Sequence, residues 1–150
     1  MVQACGGAPP PAPECKKPAQ LVVRLEPNAI LNQDREGNPR SVVLRLYQLE
    51  GADAFLSAGF EDIWASGGAG PSVVAGPDEL TVIPGRVETR TMLRNPKATH
   101  FGVAGKFRVV QEAPGFRAVA VLPEAPDPCR DSGAATSLQA YLMNYTIQLQ

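Results

Sequence analysis

The chain has a single histidine, three cysteines and few aromatic residues, 6 % of its 150 positions. So little imidazole and thiolate leaves no ligand set for most metal-enzyme designs. Charged residues are also sparse at 19 %, and 14 Lys+Arg against 15 Asp+Glu give a net charge of −1. That balance offers no electrostatic reason to expect a nucleic-acid partner. No run approaches the ~20 apolar residues that span a bilayer. GxSxG, P-loop, HExxH and paired-cysteine metal motifs are missing too, and Gly67-Gly68-Ala69-Gly70 has no following lysine to make it a phosphate loop. What the chain has in excess is backbone breakers, 15 Pro and 14 Gly, which leave little room for long helices. With 44 % hydrophobic residues it can still bury a core, and its length suits one domain.

The first residues, Val2-Gln3-Ala4-Cys5 followed by Gly6-Gly7, look like the tail of a bacterial lipoprotein signal. Such a signal places a branched aliphatic and a small residue before the cysteine that becomes lipidated; Gln3 is an unusual occupant of its slot. Residues 1–4 then read as the remnant of that signal, because no charged or hydrophobic part of it precedes them. Residues 6–20, GGAPPPAPECKKPAQ, hold five prolines and no large apolar run, so residues 5–19 read as a lipidated Cys5 on an extended, Pro-rich tether. Acyl chains on Cys5 would supply the more than one lipid signal that stable anchoring takes. Cys15 and Cys129 remain. In an oxidising periplasm they can pair, closing a loop of over a hundred residues, worth up to ~4–5 kcal/mol in the chain-entropy model. The alternative is two unrelated free thiols.

Residues 20–150 read as a single β-rich domain. Leu21, Val23 and Leu25 alternate in QLVVRLE, a half-buried strand. Pro27–Arg40, PNAILNQDREGNPR, is dense in turn formers and reads as a long exposed loop. SVVLRLYQL at 41–49 has apolar residues on both faces and reads as a central strand. From Asp53 to Trp64 apolar residues recur at three- and four-residue steps, predicting a short helical insertion with Asp53 and Ser57 as candidate caps. Residues 66–77 read as a flexible connection, and Glu79–Pro84, Gly85 and Arg86–Leu93 as a hairpin. Thr99–Val109 predicts a strand with Phe101, Val103, Phe107 and Val109 facing in. Phe116–Leu122 returns the chain, and Ser137–Leu149 reads as one strand with Tyr141, Met143, Tyr145, Ile147 and Leu149 in register. About seven or eight mostly antiparallel strands with one helical insertion predict a β-sandwich.

No residue reads as catalytic. His100 falls on an outward phase beside Lys106 and Arg108, without a nucleophile or an orienting carboxylate in pattern. Adjacent acids such as Glu61-Asp62 and Asp78-Glu79 point apart on any regular element. Charge is nevertheless segregated: six acids and no Lys or Arg lie in 50–79, seven basic residues and two acids in 86–117. Either the helical insertion sits on the basic strands of its own fold, or the domain has a polar docking face.

Taken together, VQAC with its Pro-rich tether, Ile30-Leu31-Asn32 before Gly37-Asn38-Pro39-Arg40, SVVLRLYQL, AFLSAGFEDIW at 54–64, DELTVIPGR at 78–86 and FGVAGKFRV at 101–109 resemble the TssJ (VasD-type) outer-membrane lipoproteins of type VI secretion systems. Order and spacing agree from about Cys5 to Leu122, while the last 28 residues match less well. The resemblance implies an all-β, transthyretin-like sandwich with an added helical piece, lipid-anchored at the periplasmic face of the outer membrane. It implies no enzyme activity, no cofactor, no metal and no small-molecule substrate. The implied partner is the periplasmic carboxy-terminal region of TssM, bound through the loop between the first two strands. Here that loop is Pro27–Arg40, with Asn32, Gln33, Asp34, Arg35 and Glu36 as its expected exposed tip. A generic periplasmic lipoprotein module that binds another protein or a carbohydrate, and a small-molecule enzyme on the same scaffold, are the alternatives; a lone histidine argues against the second.

Overall fold

A computed structural model describes residues 6–9, 18–65, 70, 72–110, 115–127, 129–130 and 134–150. Cys5, Cys15 and the Gly-rich residues 66–69 lie outside the described residues.

Eight strands form two four-stranded sheets. The first, in order β4-β1-β7-β8, comprises β1 (Gln20–Pro27), β4 (Glu88–Leu93), β7 (Ala135–Leu142) and β8 (Ile147–Leu149). The second, in order β3-β2-β5-β6, comprises β2 (Val42–Leu49), β3 (Val73–Val82), β5 (His100–Gly105) and β6 (Arg117–Val121). All pairings are antiparallel except β1 with β7, which run parallel from Gln20 opposite Ala135 to Pro27 opposite Leu142. The alternation in β1 does what its pattern dictates: Leu21, Val23 and Leu25 are buried against the second sheet, joined by Leu138, Ala140 and Leu142 of β7. Val42, Leu44, Leu46, Phe101 and Val103 close the core from the other side.

The central strand β2 is buried on both faces, because two helical turns, α1 (Asp53–Ser57) and α2 (Phe60–Trp64), cover the outside of the second sheet. Phe55 is fully buried there, edge-on to Tyr47 with ring centroids 5.4 Å apart. Gly102 lies directly under it; a Cβ at that position would sit 3.1 Å from the Phe55 ring. Phe60 packs edge-on against Phe116 at 4.9 Å.

Several local expectations are corrected. Residues 79–93 are not a hairpin: β3 pairs with β2 and β4 with β1, so residues 83–87 carry the chain from one sheet to the other. Strand β3 begins at Val73, inside the segment expected to be a connection, because β2 is long enough to pair with it down to Leu49. Strand β5 stops at Gly105; Phe107 is buried, but Val109 is half exposed in a loop rather than facing in. The predicted strand 137–149 is two strands broken at Met143–Thr146, where the Met143 amide donates to the Thr146 carbonyl at 2.9 Å. The buried register of β7 is Thr136, Leu138, Ala140 and Leu142, opposite in phase to Tyr141. Neither Asp53 nor Ser57 caps a helix; the Gly59 amide donates to Asp62 at the start of α2 instead.

Strand directions sort the connections. Residues 28–41, 83–87, 106–116 and 143–146 all emerge at one end of the sandwich. The entry at residues 18–20 and residues 94–99 lie at the other, where the helical connection between β2 and β3 and the connection between β6 and β7 also leave and return.

A preorganised loop at the end opposite the tether

The loop 28–41 is long but tightly ordered. Leu31 is fully buried and plugs the end of the core. Beyond it Asn32 takes a left-handed backbone conformation, φ 50°, which Asn tolerates better than most side chains. Its amide donates to the Asn144 carbonyl at 2.7 Å, and its side-chain Nδ2 to the Ser41 carbonyl at 2.8 Å. Its Oδ1 accepts from the Arg108 amide at 2.8 Å. One residue, through its side chain and its backbone amide, thus ties the loop to its own far end and to two neighbouring loops. Only 3 % of Asn32 is exposed, so the expectation that it stands at the exposed tip is wrong. A polar residue in a turn-rich stretch looks solvated in sequence; here it satisfies part-buried backbone groups of Ser41 and Arg108.

Gln33 continues the same seam. Its amide donates to Asn144 Oδ1 at 2.9 Å, its Oε1 accepts from Asn144 Nδ2 at 2.9 Å, and the Tyr145 hydroxyl donates to its carbonyl at 2.8 Å. Asp34 is the hub of the tip. Oδ1 accepts the amides of Asn38 and Glu36 at 2.9 and 3.0 Å, while Arg40 donates to Oδ2 from Nη2 and Nε at 2.6 and 2.9 Å. The Asn38 amide first, then the Arg40 guanidinium, hold the Asp34 carboxyl at about 2, against an ordinary 3.8. Gly37 at φ 82° closes the turn, its amide donating to the Asp34 carbonyl at 3.0 Å. Arg35 and Glu36 are left exposed at the crest. The expected tip therefore divides by role: Asn32 is structural, Gln33 and Asp34 are half buried and rigidify the loop, and Arg35 and Glu36 face solvent.

Beside the crest, Gln33, Asp34, Arg35, Arg108, Val109 and Tyr145 line an open groove of about 470 Å³. Arg108, Asn144 and Tyr145 were not legible as site residues. Their only sequence signal is Asn144, a turn former set into an apparent strand.

At the other end the chain entry is tied down. The Arg94 amide donates to the Ala19 carbonyl at 2.8 Å, and Gln20 to Ala134 at 3.4 Å. The Arg94 side chain is 6 % exposed and donates to Thr136 Oγ1 at 3.2 Å, to the Ala98 carbonyl at 3.4 Å and to the Pro123 carbonyl. Burial lowers its guanidinium pKa. Arg94 so clasps both ends of the 122–134 connection, in which Cys129 is disulfide-bonded. His100 also sits at this end, with Nδ1 2.8 Å from Thr99 Oγ1.

Part of the segregated charge resolves within the fold, where Arg117 of the basic stretch meets carbonyls of the helical insertion rather than its acids. Arg117 of β6 donates to the carbonyls of Phe55 and Ala58, and Arg45 of β2 to that of Ile63 at 2.9 Å. These are carbonyls at the C-terminal sides of α1 and α2, where orphan acceptors and the helix dipole favour cations. Arg45 also pairs with Glu79 at 2.8 Å and lies 4.7 Å from the centre of the Trp64 ring.

A two-sheet sandwich whose chain entry is fastened at one end, and whose other end presents a rigid polar loop, is a scaffold that holds that loop away from the entry. The profile of the type VI secretion lipoprotein family (VasD, EvfM, TssJ) matches residues 19–149, and the chain belongs to that family. Among solved structures it is similar to the type VI secretion lipoprotein TssJ1 of Pseudomonas aeruginosa, at 22 % identity and TM-score 0.74 over 89 % of this chain and 95 % of that one. It is similar to Lip of Serratia marcescens, a membrane-bound component of the type VI secretion system, at 16 % identity and TM-score 0.74 over 89 % and 96 % of the two chains. A chain in the structure of the TssM C-terminal domain from EAEC matches at 23 % identity and TM-score 0.71, over 87 % of this chain and 97 % of that one. Comparison with curated proteins gives no significant match.

Proposed function

We propose that this lipoprotein is held at the periplasmic face of the outer membrane by acyl chains on Cys5. From there it binds the periplasmic carboxy-terminal region of TssM through the 28–41 loop, as a non-catalytic piece of the type VI secretion membrane complex. The observation that carries this reading is the loop itself: long, polar, held rigid by Asp34 and Asn32, and placed at the end of the sandwich opposite the tether's entry. Preorganisation removes the ordering cost that a mobile loop would bring to binding. Arg35 and Glu36 are the residues free to meet a partner.

The test is calorimetric titration of the domain with a purified TssM periplasmic fragment. Replacing residues 33–36 with Gly-Ser weakens binding by at least ~1–2 kcal/mol, about tenfold in Kd, where the loop holds a hot spot. An unchanged Kd removes the loop from the interface. Separately, Cys5→Ser in the lipidated precursor releases the protein into the soluble periplasmic fraction; retention in outer-membrane fractions rejects the anchor. For the bonded Cys129 we assign Cys15 as partner, which fixes the tether beside the Arg94 clasp and leaves Cys5 for lipid. Peptide mapping without reduction yields a Cys15–Cys129 pair; a Cys5–Cys129 pair overturns both assignments.

A further inference from the structure

The loop 28–41 is not alone at its end of the molecule. Nine large hydrophobic side chains are conspicuously exposed among the described residues, and six of them, Ile30, Ile83, Val87, Val109, Val110 and Met143, lie in the four connections at that end. Each leaves 42–48 % of its surface in water. The four connections form one surface. Gly85 donates to the Pro27 carbonyl at 3.2 Å and lies against Ala29, Arg108 donates to Asn32, and Asn144 and Tyr145 bond Gln33. Single exposed aliphatics need no explanation, but six gathered on one end of a small domain do. Three cations stand among them, Arg35, Arg86 and Arg108, all exposed and none in an ion pair among the described residues. By contrast Asp34 is already satisfied by Arg40.

We infer that the apolar side chains of the other three connections, not the polar crest alone, supply most of the affinity for TssM. The partner surface is then an apolar patch rimmed by carboxylates that meet Arg35, Arg86 and Arg108. This rests on the function proposed above and extends it: the crest orients, the aliphatic residues around it are desolvated on docking, and the basic rim steers the encounter. The chain entry at residues 18–20 lies at the opposite end of the sandwich from this surface.

Two measurements test it on the disulfide-bonded domain. Val87→Glu and Val109→Glu, both at exposed positions, each weaken binding of the TssM fragment tenfold or more while leaving the melting temperature near wild type. Val121→Glu, 74 % exposed at the far end, leaves Kd unchanged. The association rate with the wild type falls as salt is raised, and falls less for Arg86→Gln combined with Arg108→Gln. In parallel, a photo-crosslinking residue at 87, 109 or 121 is activated in cells assembling the secretion apparatus; adducts with TssM form from 87 and 109 only. If the wild type binds TssM and both Glu variants bind it equally well, the apolar surface is rejected and the loop reading survives. If 87 and 109 crosslink to a different protein, or to none, while the purified fragment also fails to bind, the proposed partner and this surface fall together.

Discussion

Replacing Asn32 with alanine is the sharpest test of how the loop end is built, because three separate costs converge on one residue. The substitution removes the donor to the Ser41 carbonyl and the acceptor of the Arg108 amide, both at 2.8 Å and both at a position only 3 % exposed. A buried polar group left without its partner costs about 1–3 kcal/mol. These groups lie near a loop surface that water can reach after a small shift, so the low end applies, about 1 kcal/mol each. Alanine at φ 50° adds about 1 kcal/mol for a left-handed backbone without Asn's local hydrogen bonding. The expected loss is therefore about 3 kcal/mol, roughly 6–12 °C in melting temperature for a domain of this size.

Urea and thermal denaturation followed by circular dichroism measure the total, and Asn32→Gly divides it. Glycine loses the same two bonds but accepts the positive φ, so it retains about 1 kcal/mol that alanine loses. Amide exchange adds a local readout, since protection of the Arg108 amide disappears in both variants. A loss below about 1 kcal/mol for Asn32→Ala would show that neighbouring groups or water replace the bonds at no cost. Equal stabilities for Asn32→Ala and Asn32→Gly would remove the backbone contribution. The first result would refute the view of Asn32 as the joint of three loops; the second would leave the bonds in place and strike only the backbone share.

Two further outcomes follow from the same geometry. The Asp34 carboxyl, lowered from 3.8 to about 2, contributes stability that is fully present above about pH 4 and lost as pH falls through about 2. Carbon-detected NMR should place its midpoint near 2 and show the Asn38 amide shifting with it; a midpoint near 4 would mean the hub is not formed in solution. Arg117→Met keeps an unbranched apolar stem but removes the guanidinium from the Phe55 and Ala58 carbonyls and from the Phe116 ring, and should cost about 2 kcal/mol. Hydrogen exchange should rise in α1 while β1 and β7 stay protected; unaltered exchange in α1 would reject the clasp.

What the sequence reveals here depends on whether the deciding interaction is local. Strands β1 and β2 are legible because their alternation directly encodes which face is buried, and the helical turns because Leu56, Phe60, Ile63 and Trp64 recur at steps of three and four. The false hairpin at 79–93 has the same local pattern as a true one: two apolar runs around Pro84-Gly85. Whether the second run folds back onto the first or crosses to the other sheet is decided by competition for the edges of β1 and β2, which no window contains. The phase of β7 is misread for a related reason. Tyr141 looks like a core residue, yet the parallel pairing with β1 requires Leu138, Ala140 and Leu142 to face Val23 and Leu25. Within the site, the loop is recognisable from its turn formers, whereas the burial of Asn32 depends on partners 76 and 112 positions away, at Arg108 and Asn144.

The separation of the two ends has a topological cause that no single loop sequence can undo. The chain enters at the start of β1, and each of the connections β1–β2, β3–β4, β5–β6 and β7–β8 leaves a strand at the end away from that entry. The connections β2–β3, β4–β5 and β6–β7 all turn at the entry end. Under the amino-terminal anchor proposed above, the four connections away from the entry would face outward, and substitutions in them would alter the presented surface without touching the entry. Such an arrangement leaves those loops to carry exposed aliphatic side chains and tightly bonded polar turns, while Arg94 ties down the entry end through Thr136 and the Pro123 carbonyl. Were β1 missing, the chain would enter beside the polar crest, and under the proposed anchor that crest would face the membrane rather than a partner across the periplasm.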